Sequence, residues 1–167
     1  SDKKGKHADL IRLMDVLDEL PPGIELAIGG GNPLDHPDLK EFLLNCKRKG
    51  FICNLTVNQL HLKKNHDFIW DLINKDLIKG LGISYRKKFS NSYESSFVNY
   101  EHAVIHLIAG VDDYKVIGEL MEVGYNKFLV LGYKQFGNGV SHYNKFSEKV
   151  EDNIRQWYMF LPKYIGK

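Results

Sequence analysis

Ile24-Glu25-Leu26-Ala27-Ile28-Gly29-Gly30-Gly31-Asn32-Pro33 reads as a short apolar strand that runs straight into three glycines. Glycines placed directly after a strand let backbone N–H and C=O groups approach a ligand closely. The run is not a dinucleotide fingerprint. Gly29 and Gly31 fit its first two glycine positions, but Leu34 stands where the third belongs. It is not a phosphate-binding P-loop either, since no Gly-Lys-Ser/Thr follows. A tight strand-to-helix turn needs one glycine with positive φ, so the other two favour contact with a ligand.

Working outward, the chain alternates helices and strands. Ala8 to Leu20 carries Leu10, Leu13, Met14, Leu17 and Leu20 on one helical face and stops at Pro21-Pro22-Gly23. A helix from Pro37 to Lys49 follows the glycines, with Leu39, Phe42, Leu43 and Cys46 on one face and Gly50 as its C′ residue. Phe51 to Val57 reads as the second strand, ending at Asn58. Phe68 to Ile73 is the core of a helix, Gly80 to Tyr85 a strand, and Ser95 to Tyr100 a weak helix beyond the polar stretch Arg86 to Ser92. Ala103 to Ile108 is the fourth strand. Asp112 is placed as the N-cap of a helix from Tyr114 to Val123, closed by Gly124. Phe128 to Leu131 is the fifth strand, and a glycine-spaced loop from Gly132 to Gly139 leads to a helix around Ser147 to Phe160.

The order is one helix, then five βα units, read as strands apolar on both faces within a helix-covered parallel sheet. A complete eightfold barrel takes about 250 residues. The 167 residues here therefore fit a partial (β/α) TIM-type barrel or an open doubly wound sheet, in a single domain over residues 1–167. The leading helix has no strand before it. Ser1 to His7 is too polar to be one, so a missing first strand is expected.

Composition sets outer bounds. Lys and Arg number 23 against 21 Asp and Glu, which gives no strong nucleic-acid signal. Aromatic residues make up 12% of the chain, far from a disordered composition. No apolar run approaches the ~20 residues of a membrane span. Two cysteines cannot staple a chain of this length, and Cys46 and Cys53 are expected as buried free thiols with no metal role. No signal peptide is read, so a cytoplasmic location is expected. The chain begins at Ser1 and not at Met, which points to processing or to a longer parent.

In parallel α/β folds ligands bind at the C-terminal ends of strands. That selects Gly29 to Pro33, Asn58-Gln59, Ser84-Tyr85-Arg86, Ala109-Gly110-Val111 and Gly132-Tyr133-Lys134. Alternation nominates Asn58, Tyr85, His106 and Lys134 as pocket-facing, although a mid-strand histidine such as His106 reads more simply as core. His61 and His66 are scattered singly, and Lys3-Lys4, Lys63-Lys64 and Arg86-Lys87-Lys88 read as solvated surface. The sequon Asn54-Leu55-Thr56 lies in a buried strand and is set aside. No nucleophile, acid–base pair or metal cluster is evident, so no catalytic residue is assigned.

From the glycines onward the chain resembles the radical S-adenosylmethionine superfamily. Ile24 to Leu34 resembles that family's second strand and its Gly-Gly-Glu-Pro motif, and Asp35-His36-Pro37-Asp38-Leu39 its usual entry into the next helix. Lys49 to Asn58 resembles the third strand, which commonly ends in Thr-Asn-Gly. Gly82-Ile83-Ser84-Tyr85 sits where the fourth often ends in Ser. Leu129 to Lys134 sits where a later strand backs the adenine. The similarity spans most of residues 8 to 139. It implies S-adenosylmethionine as cofactor. Gly29, Gly30, Gly31 and Asn32 would lie at its amino group, Asn58 and Ser84 at ribose or carboxylate, and Leu131 and Gly132 beside adenine.

Two departures stand out. Gly31-Asn32 replaces the family's Glu, a tolerable change where backbone oxygens do the binding. The three-cysteine loop that holds the family's 4Fe–4S cluster is absent, along with the strand before it. The resemblance therefore implies an intact protein whose cluster segment is cleaved, disordered or omitted here. That protein would cleave S-adenosylmethionine reductively on an unknown substrate, with an electron donor such as flavodoxin or ferredoxin. This chain alone is expected to be inactive. The alternative is a non-catalytic α/β domain, a pseudoenzyme that binds a ligand or partner.

Overall fold

The strand that carries the register of the whole fold is Ile52–Asn58, and its burial alternates residue by residue. Cys53, Leu55 and Val57 are buried, while Asn54, Thr56 and Asn58 are only half-buried. The computed structural model describes residues 7–86 and 95–166. In chain order these form α1 (Leu10–Asp18), β1 (Glu25–Ile28), α2 (Leu39–Arg48), β2 (Ile52–Asn58), α3 (Leu62–Asn74) and β3 (Gly80–Ser84). Then come β4 (Ala103–Ile108), α4 (Val116–Val123), β5 (Phe128–Leu131) and α5 (Asn138–Phe160), with 3₁₀ turns at Pro33–Asp35, Gln59–His61, Ser96–Asn99 and Leu161–Tyr164. Lys3, Lys4, Lys87 and Lys88 lie outside the described residues, as does most of the polar stretch after β3.

The five strands form one parallel sheet in the order β1-β2-β3-β4-β5. Sequential order with right-handed crossovers puts every connection on the same side of the sheet. A doubly wound sheet reverses its strand order at a switch point, and this one does not. The sheet is not closed, because β1 and β5 are both edges.

Packing follows this topology. Cys53, Leu55, Val57, Leu81, Ile83, Ala103, Ile105 and Leu107 join one buried cluster with Leu39, Leu43 and Cys46 of α2. The same cluster takes Leu62, Ile69 and Leu72 of α3, Ile117 and Leu120 of α4, Trp157 of α5 and Leu17 of α1. The intervening strand residues stay outside it. The expectation of strands apolar on both faces therefore fails for β2 and β3, whose outer positions are polar or glycine, and holds in large part for β4 and β5, where Val104, Ile108, Leu129 and Leu131 face outward. Among the described residues the core helices pack on one face; the other carries Asn54, Thr56, Asn58, Ser84 and His106 over its centre and these apolar residues toward β5.

The helix boundaries follow their punctuation. Asp9 caps α1 by accepting the Arg12 amide at 3.0 Å. Gly124 ends α4 at φ 112°, and a Cβ there would stand 2.7 Å from Val98 Cγ2, so glycine is required twice over. The last helix starts at Asn138, earlier than its apolar periodicity indicated, because a kink at Phe146 (φ −137°) joins a preceding segment to the expected one. Asp112 is not a helix cap. Its Oδ2 accepts the Ile108 amide at 2.6 Å, and α4 begins only after Lys115. The local sequence carried a capping signature, but the strand end offered a closer donor.

Cys46 and Cys53 are both free and buried, on the helix-covered side. Their thiols hydrogen-bond one another. That contact lowers the Cys46 pKa, while the same contact and burial push Cys53 up, and burial shields both sulfurs from solvent.

The two faces of β2 make unequal demands. Leu55→Ala removes a side chain that is 0% exposed, and a loss of about 2–5 kcal/mol is expected in urea unfolding. Its neighbour Thr56→Ala, on the open face, is expected to cost no more than about 1 kcal/mol. Equal losses would show that both faces are packed.

Candidate functional site

The site is built on the open face. Cross-strand register places Asn58 beside Ser84 and Ser84 beside His106, forming one polar row over β2, β3 and β4. In the next two rows toward the strand N-termini, Thr56 pairs with Gly82 and Asn54 with Gly80. β3 therefore presents no side chain on this face until Ser84. Neighbouring side chains lie down across the gap: a Cβ on Gly82 would stand 2.6 Å from His106 Cε1 and 2.9 Å from Thr56 Oγ1. A Cβ on Gly80 would stand 2.6 Å from Asn54 Oδ1. These two glycines are there for close approach, since neither has positive φ.

His106 is thus not a core histidine. Its ring lies over Gly82 in the polar row and hydrogen-bonds nothing among the described residues. Burial lowers its pKa, which favours the neutral imidazole near pH 7. Asn58 keeps one function free: its Oδ1 accepts the Leu60 amide at 3.0 Å, leaving the Nδ2 donor toward the face. Tyr85 is not pocket-facing. It follows Ser84 on the opposite face and packs against the core, which corrects its nomination from alternation.

At the β1 edge, only Gly30 of the triplet has positive φ, at 110°. A Cβ on Gly30 or Gly31 would meet nothing within 4 Å, and one on Gly29 would make ordinary contact with Thr56 Cβ at 3.7 Å. Turn geometry explains one glycine, and the other two leave bare backbone at the strand end. Asn32 closes the loop, and its side-chain Oδ1 and Nδ2 are both buried without a hydrogen-bond partner. Such orphaned groups each cost about 1–3 kcal/mol, which marks the Asn32 amide as the polar feature of this loop that its packing does not explain. His36 holds the far side of the loop, with Nε2 on the Ala8 carbonyl at 2.8 Å and Nδ1 accepting the Asp38 amide at 3.1 Å.

At the opposite edge, Leu131 and Gly132 line a cleft of about 510 Å³ with Lys134, Arg86 and Tyr133. The nominated residues therefore fall in three places: the glycine loop at β1, the row Asn58–Ser84–His106, and the β5 cleft. Four strand spacings, ~19 Å along the sheet, separate the outer two. One ligand that touches both must lie across the face.

The cofactors fit unequally. A small polar ligand with amino, carboxylate and hydroxyl groups fits the bare glycine backbone, the orphaned Asn32 amide, the Asn58 Nδ2 and the Ser84 hydroxyl. A 4Fe–4S cluster does not fit. Among the described residues no group of three His, Cys, Asp or Glu is placed to hold a metal, and both cysteines are buried between α2 and the sheet. Sequence reading missed Thr56, Gly80 and Gly82, and it placed Arg86 both in a candidate loop and in a solvated basic cluster. The polar-in-even-positions pattern of residues 54, 56 and 58 was the available signal.

No family model, no curated protein and no solved structure matches the chain. The roles of these residues rest on geometry, and His106 offers a direct check. Its pKa is depressed, so its contribution to stability is full above the unfolded value of about 6.5 and is lost as pH falls through the folded value. Proton NMR is expected to show His106 titrating below 6.5. Gly82→Ala is expected to push the imidazole toward solvent and raise that midpoint, with a stability change within about 1 kcal/mol because only a side-chain tip must move. An unchanged midpoint in Gly82→Ala would remove His106 from this place.

Proposed function

We propose that this chain is the S-adenosylmethionine-binding part of a radical S-adenosylmethionine-type protein, built as a partial (β/α) barrel. The observation that carries the reading is the open polar face of a sequentially wound parallel sheet, with a bare glycine loop and an orphaned Asn32 amide at its first strand. In a half-barrel of this topology the uncovered face is the inner wall, where ligands lie at the strand C-termini.

On this reading the methionyl end sits in the glycine loop. Its ammonium meets backbone carbonyls near Gly29 to Gly31, and the Asn32 amide takes the remaining polar contact. The Asn58 Nδ2 and Ser84 hydroxyl bond the carboxylate or ribose. Leu131 and Gly132 flank adenine. His106, neutral and half-buried, accepts a hydrogen bond from a hydroxyl of whatever lies over β3. An intact protein of this type would gain one-electron chemistry from its cluster. The described residues hold no ligand set for that cluster, so no step through it is assigned to them. What they supply is orientation and partial exclusion of water.

S-adenosylmethionine with only these contacts is expected to bind at about millimolar Kd, about 4 kcal/mol. NMR titration of the chain measures both strength and place. Shifts at Gly29, Gly30, Gly31, Asn32, Ser84 and Gly132 support the reading. Sub-micromolar affinity, or shifts confined to the helix-covered side, would end it. Asn32→Leu is expected to weaken binding several-fold while raising stability, because it removes an unpaired buried amide.

A further inference from the structure

The β5 cleft has chemistry that an adenosyl sulfonium does not use. Arg86 reaches it from the end of β3, Lys134 from the loop after β5, and His142 from α5. Its apolar wall is Ile108, Val111 and Leu131. No carboxylate lines it, and neither Arg86 nor Lys134 makes an ion pair among the described residues. Asp112 is the carboxylate whose field reaches Arg86, and its Oδ2 is already taken by the Ile108 amide at 2.6 Å.

The backbone under these cations is fixed. The Arg86 amide donates to Oε1 of Gln59, a side chain only 1% exposed, at 2.9 Å. Gly110 adopts φ 95° and donates its amide to Asn153 Oδ1 at 2.7 Å, while Asn153 Nδ2 and Trp157 Nε1 both donate to the Asp112 carbonyl. The Tyr133 ring packs on Gly110, where a Cβ would stand 2.9 Å from its Cδ2. The Tyr133 hydroxyl donates to the Gly139 carbonyl at 2.6 Å, and a Cβ on Gly139 would collide with the Lys134 carbonyl. The glycine-spaced loop from Gly132 to Gly139 thus closes on itself and holds Lys134 at the rim.

We infer that this cleft binds the phosphate monoester of a small molecule whose apolar or planar body lies on Ile108, Val111 and Leu131. Two cations and an imidazole exceed what one carboxylate needs and suit a phosphate dianion, which arginine can grip with two parallel hydrogen bonds. The place agrees with the general siting of ligands at strand C-termini. The inference stands apart from the adenosyl reading, although both use Leu131 and Gly132.

The test uses phenyl phosphate as probe, with phenol, benzoate and inorganic phosphate as comparisons, in NMR titrations of the whole chain. Phenyl phosphate is expected to bind at least tenfold more tightly than phenol or benzoate and several-fold more tightly than inorganic phosphate, with shifts at Leu131, Gly132 and Lys134. Arg86→Gln and Lys134→Gln are each expected to weaken it at least fivefold, with melting temperature unchanged because both side chains are exposed. Benzoate binding as well as phenyl phosphate would overturn the phosphate assignment. Phenol binding as well, or either variant binding undiminished, would overturn the site. S-adenosylmethionine shifts at Gly29 to Asn32 in these same variants report on the adenosyl reading separately.

Discussion

The pairing of Leu55 with Leu81 and of Thr56 with Gly82 decides which side of the sheet is dry. Once β2 and β3 hold this register, Cys53, Leu55, Val57, Leu81 and Ile83 face the helices, while Asn54, Thr56, Asn58, Gly80, Gly82 and Ser84 face away. A shift by one residue would bury Asn54, Thr56 and Asn58 against α2 and α3 and strand Leu55 and Val57 in water. Each buried amide would then need a partner that no apolar helix face offers. The register also extends outward, since β1 pairs on β2 and β4 on β3 with the same alternation. The helices, the core cluster and the open polar face all follow from it.

β3 is the strand on which this constraint and the candidate site meet. Gly80 and Gly82 are poor strand formers taken alone, because glycine loses the most backbone freedom. Here their missing side chains let Asn54, Thr56 and His106 fold inward over the centre of the sheet. The result is a low floor flanked by Asn58 and Ser84. Leu81 and Ile83, both 0% exposed, hold the same strand down from the other side. Flatness on one face is therefore supported by dense packing on the other.

The strand positions were legible from sequence because each is a short apolar run bounded by glycine, proline or charge. Reading gave starts near residues 51, 80 and 103, and the structure places them at Ile52, Gly80 and Ala103. Asn58 and Ser84 were nominated from separate motifs, and the register sets them side by side. What sequence did not disclose depends on contacts distant along the chain. Asp112 carries an N-cap signature but bonds back to Ile108. Tyr85 and Ser84 differ by one residue and face opposite ways. His106 looked like core because its neighbours Ile105 and Leu107 are core, and only the glycine opposite it shows which way the ring lies. Phe146 breaks the last helix without proline or glycine at the kink.

Charge is distributed over the open face by the same physics that dries the other one. Of the strand residues on that face, only Glu25 and His106 carry ionisable side chains, and Glu25 sits at the N-terminal edge, accepting from Asn54 Nδ2 at 3.2 Å. A charged group set in the middle of the face would lose hydration on one side to the sheet and gain no fixed counter-charge. Neutral amides and hydroxyls keep their bonding capacity there at little desolvation cost, and a histidine depressed by burial behaves as one more neutral donor or acceptor. Full charges instead appear at the strand ends, on Arg86 and Lys134, where solvent still reaches them. The open face thus offers hydrogen-bonding groups in its middle, in the Asn58–Ser84–His106 row, and full charge only at its rim, on Arg86 and Lys134.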